Sequence, residues 1–110
     1  MTRYEQELAN KEVVIAMELA LGELYKENEK KPIKGKRLRS CTAWVFETES
    51  FYILKSYETY VACIRKYDDI LFDALRIAYG YTATSAQHIA KFAHDYGAGK
   101  WGVTERVVGR

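Results

Sequence analysis

Apolar side chains recur between residues 8 and 24 at spacings of three, four and seven. Leu8, Ile15 and Leu19 form one track, and Val14, Met17, Leu21 and Leu24 form its neighbour. That period predicts a helix with a wide apolar stripe whose middle is buried. Thr2-Arg3-Tyr4-Glu5 has the form of a capping box, in which hydroxyl and carboxylate satisfy orphan amides at a helix start. Pro32 cannot donate an amide bond and disfavours a helical Lys31, so the helix should occupy residues 1–29 and stop between Asn28 and Lys31.

The pattern then changes. Cys41 to Thr48 and Phe51 to Tyr57 are rich in aromatic and β-branched residues, are separated by Glu49-Ser50, and predict a hairpin; Thr59 to Lys66 adds a third strand after a tight turn at Ser56 to Glu58. Neither parity is polar. Trp44 and Phe46 oppose Ala43 and Val45, and Leu54 opposes Phe51 and Ile53, so the sheet should be covered on both faces, by helix 1 and by a later helix or a partner.

Residues 68–79 carry two patterns. Ile70, Leu71, Ala74, Leu75 and Ala78 fit a helix capped by Asp68 and ended by Gly80, which is the reading preferred here; Leu71, Leu75, Ile77, Tyr79 and Tyr81 fit one face of a strand. A second capping box, Thr84-Ser85-Ala86-Gln87, opens a helix with the stripe Ala86, Ile89, Ala90, Ala93 and Tyr96, ending at Gly97. The expected fold is α+β: a long N-terminal helix, an antiparallel sheet of three or more strands and a C-terminal capped amphipathic helix. Residues 1–110 should form one domain, divided into the helix (1–29), a basic connection (30–39), sheet plus helix (40–97) and a tail (98–110).

Composition narrows the function classes. With 48% apolar and 29% charged residues over 110 positions, the chain matches an ordinary globular domain. Seventeen Lys and Arg against fifteen Asp and Glu leave a net charge of +2, too small for the whole-protein field to draw in nucleic acid and too far from acidic for DNA mimicry. Any electrostatic partner must be read by a local patch. The longest nearly apolar run, Val13 to Met17, is far below the roughly 20 residues that cross a bilayer, and the start lacks the apolar core of a signal peptide, so no membrane role and a cytoplasmic location are expected. Nine tyrosines suit interfaces as well as cores. Cys41 and Cys63 read as buried reduced thiols.

Candidate chemistry is thin. His88 and His94 are six residues apart on one helix, which turns the rings roughly 120° from each other and argues against a shared metal. Ser85 near His88 supplies two members of a nucleophilic set at most. No phosphate loop, dinucleotide fingerprint or nucleophile elbow is present. A protein without catalytic residues, metal or cofactor is expected. Lys30, Lys31, Lys34, Lys36, Arg37 and Arg39 are six of the seventeen basic side chains and can contact phosphates, or form a solvated loop paired with Glu23, Glu27 and Glu29. On the helical reading of residues 68–79, Gly80-Tyr81-Thr82 becomes a turn between two helices and Gln87, His88 and Lys91 project as in a helix-turn-helix, although Arg76 stands where a compact turn wants a small residue.

Two stretches carry a resemblance. Leu54-Lys55-Ser56-Tyr57-Glu58-Thr59-Tyr60-Val61-Ala62 and Tyr79-Gly80-Tyr81-Thr82-Ala83-Thr84-Ser85-Ala86-Gln87-His88-Ile89-Ala90-Lys91-Phe92 together resemble a family of small uncharacterised proteins encoded by phages, plasmids and integrative elements of Gram-positive gut bacteria. In that pattern a short strand precedes the Tyr-Thr segment, and Ser85 stands here for a second Thr. The resemblance implies a mobile-element setting in a bacterial host cell, where small single-domain proteins bind host proteins or DNA. The leading expectation is a non-catalytic binding protein, most concretely an anti-CRISPR-type inhibitor that contacts a host defence nuclease directly. The alternative is DNA binding through the basic connection and the Gln87, His88, Lys91 face. A homodimer formed through a Tyr- and Trp-rich sheet face is a third possibility.

Overall fold

The computed structural model describes residues 2–39, 41–75 and 83–97. Helix α1 (Arg3–Lys30) leads into strands β1 (Lys36–Arg37), β2 (Ala43–Glu47), β3 (Phe51–Ser56), β4 (Thr59–Arg65) and β5 (Ile70–Asp73), and helix α2 (Ala83–Asp95) follows. The sheet is an antiparallel meander in the order β1-β2-β3-β4-β5. It is covered on both faces, as the unpolarised strand pattern predicts. On one face Val13, Ala16, Met17, Ala20 and Leu24 of α1 pack on Phe51, Ile53, Cys63 and Phe72. On the other, Ile89, Phe92 and Ala93 of α2 pack on Val45, Leu54, Ala62, Ile64 and Leu71.

Local chemistry closes the turns. The β3–β4 and β4–β5 turns place Tyr57 and Asp69 at φ 54° and 56°, and Asp69 N–H donates to the Arg65 carbonyl at 2.8 Å. The register of β3 on β4 shifts between Leu54 and Lys55, which pair with Ala62 and Tyr60 and leave Val61 as the extra residue of a bulge. Val61 and Ala62 therefore both join the α2 side of the core. Gly97, at φ 69°, follows α2 as a left-handed stop.

Four expectations change. Residues 70–73 form a strand, not the first turns of a helix. Ile70 and Phe72 point to the α1 layer and Leu71 to the α2 layer, so pairing with β4 satisfies both backbone and core at once. Asp68 does not cap a helix there, because its carboxylate accepts the Arg65 guanidinium at 2.7 and 3.1 Å. Residues 76–82 of the helical reading lie outside the described residues. Second, the basic connection contains the edge strand β1, whose Lys36 and Arg37 pair with Val45 and Trp44. Third, α2 starts at Ala83, so Thr84 is already helical and is not its cap. Of the predicted stripe, Ile89 and Ala93 are buried and Ala86 and Tyr96 pack against the same core, whereas Ala90 is exposed; Ser85, His88 and Phe92 complete the buried face. Fourth, Leu8, Ile15 and Leu19 face solvent, and so does Val14 of the neighbouring track, whose Met17 and Leu24 are buried and whose Leu21 packs beside them. The track that reaches the sheet is Val13, Ala16, Met17, Ala20 and Leu24, where two alanines let the helix approach closely.

Candidate functional site

The nearest approach to a catalytic set lies under α2. Ser56 ends β3, just before the tight turn, and its hydroxyl meets His88 Nδ1 at 2.8 Å and Ser85 Oγ at 2.9 Å. All three side chains are buried, with His88 only 4% exposed. The Tyr57 ring covers the imidazole at 5.7 Å between centroids. Burial first, and the Lys91 ammonium second, push the His88 pKa below its ordinary value. The result is a neutral imidazole and two hydroxyls knitted into one network between sheet and helix. Sequence alone pairs Ser85 with His88 but misses Ser56, whose only signal is a small polar residue on the core-facing parity of β3.

The predicted binding residues do not share one surface. Lys36, Arg37 and Arg39 come together with Leu38, Asp95 and Tyr96 around an open cleft of about 240 Å³. Lys30, Lys31 and Lys34 are exposed around the end of α1 and do not line it. Within the cleft Arg39 is engaged in a two-point contact with Asp95, Nε to Oδ2 at 2.8 Å and Nη2 to Oδ1 at 2.7 Å. That guanidinium, followed by the hydrogen bond with His94, holds the Asp95 carboxyl well below the usual range. On α2, Gln87 is exposed, while Lys91 donates from Nζ to Cys41 Sγ at 3.3 Å and His88 is turned into the core. A groove-reading face made of Gln87, His88 and Lys91 is not formed.

The acidic residues expected beside the basic loop are used elsewhere. Glu23 Oε1 accepts the Ser50 amide at 2.7 Å, and Glu27 Oε2 accepts the Glu49 amide at 3.0 Å, so α1 caps the β2–β3 turn with two carboxylates. Burial works against the Glu23 carboxylate, but the hydrogen bonds from Thr48 and Ser50 outweigh it and lower its pKa. Cys41 and Cys63 are both free thiols. Burial pushes Cys63 up to about 12.

Comparison with known proteins adds nothing to these contacts. No family model, curated protein or solved structure matches this chain. Among the described residues no group of three or more His, Cys, Asp or Glu side chains is placed to hold a metal ion, and no helix is long and apolar enough to cross a membrane.

What remains is the outside of α1. Tyr4, Ile15, Leu19 and Tyr25 are 69%, 53%, 62% and 68% exposed, and Leu8 and Val14 join them. At 100° per residue these side chains fall on the side of the helix opposite Val13, Ala16 and Ala20. The helix is thus amphipathic twice over, with one apolar track that includes Ala16 and Ala20 on the sheet and a second, flanked by Tyr4 and Tyr25, in solvent. Its length matches the long axis of the molecule: about 1.5 Å per residue over 28 residues, against an extent of 43 Å. Among the described side chains of α1 the buried ones run from Val13 to Leu24.

Proposed function

We propose that this chain is a non-catalytic protein-binding module and that the outer face of α1 is the surface through which it binds. The observation that carries this reading is the second apolar track on α1, since an exposed band of large apolar side chains on one rigid helix is the form that helix-mediated protein contacts take. The closed Ser56, Ser85, His88 network supports it from the other direction, because the side chains best suited to acid–base or nucleophilic work are under α2 and engaged with one another. The resemblance of the two motifs supplies a setting of phages and mobile elements, in which an inhibitor acting on a host defence nuclease by direct contact is the concrete form of such a module.

The test is co-elution of the purified chain with RNA-guided defence nucleases of Gram-positive hosts, together with their DNA-cleavage activity. Ile15→Glu/Leu19→Glu replaces two exposed residues and should leave the circular dichroism of the fold intact while abolishing association and inhibition. Association that survives this substitution, or none with any nuclease and no other protein contact through α1, refutes the reading.

A further inference from the structure

The outer face of α1 is a continuous seam. Tyr4, Leu8, Lys11, Ile15 and Glu18 follow one another at spacings of four, three, four and three, and Gly22 and Tyr25 continue the series. Alternation of three and four is the repeat that keeps two packed helices facing each other. Two members of the seam are charged and exposed, Lys11 and Glu18. They stand at equal distances from the midpoint between Val14 and Ile15, and so do Tyr4 and Tyr25. Reversal about that midpoint therefore exchanges Lys11 with Glu18 and Tyr4 with Tyr25, while Leu8, Ile15 and Gly22 fall opposite Leu21, Val14 and Glu7.

We infer that the outer face of α1 takes the α1 helix of a second copy of this chain, antiparallel, about a twofold axis between Val14 and Ile15. The inference rests on reading that face as a protein-contact surface. In this register each Lys11 meets the partner copy's Glu18, each Tyr4 meets the other Tyr25, and Ile15 packs on Val14 across the axis. Gly22 has a place in it too. It is exposed in mid-helix, where glycine is a poor helix former, and beyond its own stretch of helix nothing among the described residues lies within 4 Å of where a Cβ would stand. No contact among the described residues calls for a glycine there; the Leu8 side chain of the opposite helix arrives within one residue of it.

The start of α1 points the same way. Among the described side chains of residues 3–12 none is buried, and a helical arm of that length is marginal in water when nothing packs on it. The antiparallel register lays residues 3–12 of each copy along residues 17–26 of the other, so each arm is covered by the part of α1 that the sheet holds rigid. Covering the large apolar side chains in both copies removes on the order of 1,000 Å² of surface, about the least that a specific interface needs. A net charge of +2 per chain offers little repulsion.

The experiment is sedimentation equilibrium on the full chain and three charge variants. The wild-type protein should be a dimer. Lys11→Glu and Glu18→Lys each place like charges at both contacts and should raise the dimer dissociation constant by about tenfold. The double variant Lys11→Glu/Glu18→Lys should return it close to the wild-type value, which a folding defect would not do. A wild-type monomer, or a dimer indifferent to the swaps, overturns the inference. Failure here is distinguishable from failure of the surface itself: a monomer whose nuclease association is lost in Ile15→Glu/Leu19→Glu removes only the second copy, whereas a monomer whose associations ignore that substitution removes both.

Discussion

Ser56→Ala tests the buried network most directly. The substitution deletes one oxygen and leaves no appreciable cavity, so its effect isolates hydrogen bonding. Ser56 Oγ is the atom common to the 2.8 Å contact with His88 Nδ1 and the 2.9 Å contact with Ser85 Oγ. Removing it leaves the imidazole nitrogen without that partner in a site only 4% exposed, where water cannot readily replace it. Leaving a buried polar atom unsatisfied costs about 1–3 kcal/mol. For a domain of this size each kcal/mol corresponds to a fall of about 4–8 °C in Tm. Urea unfolding followed by far-ultraviolet circular dichroism at neutral pH should show the loss as a lower midpoint with an unchanged slope. The partner substitution His88→Leu removes the other end. If the two groups stabilise one another, Ser56→Ala/His88→Leu should lose less than the sum of the single variants, by about 0.5–3 kcal/mol. Ser56→Ala within about 0.5 kcal/mol of wild type, or strict additivity in the double variant, refutes a network that fastens α2 to the sheet.

Three further outcomes follow from the same core. His88 has a folded pKa below the 6.5 of the free side chain, so the unfolded chain takes up the proton first: stability should be flat above that value and decline as pH falls through it, and His88→Leu should remove this step from a urea-midpoint pH profile in which Lys91 is the neighbouring cation and Ser56, Ser85 and Tyr57 the other facing groups. Gly35→Ala places a Cβ 2.7 Å from Phe46 Cζ and 3.0 Å from Cε1, so the ring must shift against Tyr60; a cost of about 1 kcal/mol in thermal unfolding is expected, relieved in Phe46→Leu. Native-state thiol labelling at mildly alkaline pH should modify half-buried Cys41 and spare Cys63, whose buried thiol titrates only at about 12, with both reacting in denaturant; equal rates in the folded protein would contradict the packing of β4 under α1.

The parts of the fold legible in the sequence are those where one signal dominates. Strands β2, β3 and β4 are dense in aromatic and β-branched residues and bounded by turns, and their apolar residues on both parities point to a sheet covered on both faces, which α1 and α2 provide. Strand β5 is four residues long, shorter than one period of the competing helical pattern can exclude, and only its pairing with β4 decides it. The capping box at Thr84 misleads because the helix already includes Ala83, and the Ser85 hydroxyl beside it meets Ser56 across 29 positions of sequence, a contact no local pattern encodes. Likewise Glu23 and Glu27 look like partners for the basic loop and instead hold the β2–β3 turn.

Helix α1 shows why periodicity alone could locate the helix without locating its core face. Two apolar tracks run along it, one through Met17, Leu21 and Leu24 and one through Leu8, Ile15 and Leu19, and period alone does not say which is inside. The sheet selects the first, because Ala16 and Ala20 beside it lie at 4% and 0% exposure where bulkier residues would hold the helix away from Ile53 and Cys63. Close approach gains dispersion contacts over the whole helix–sheet contact. The leucines and isoleucine left outside then become informative. A helix that needed only to pack on its own sheet would be expected to carry polar residues at positions 8, 15 and 19, as it does at Glu12 and Glu18. They belong to neither core cluster, and the protein contact proposed for this face would give their apolar character a physical reason.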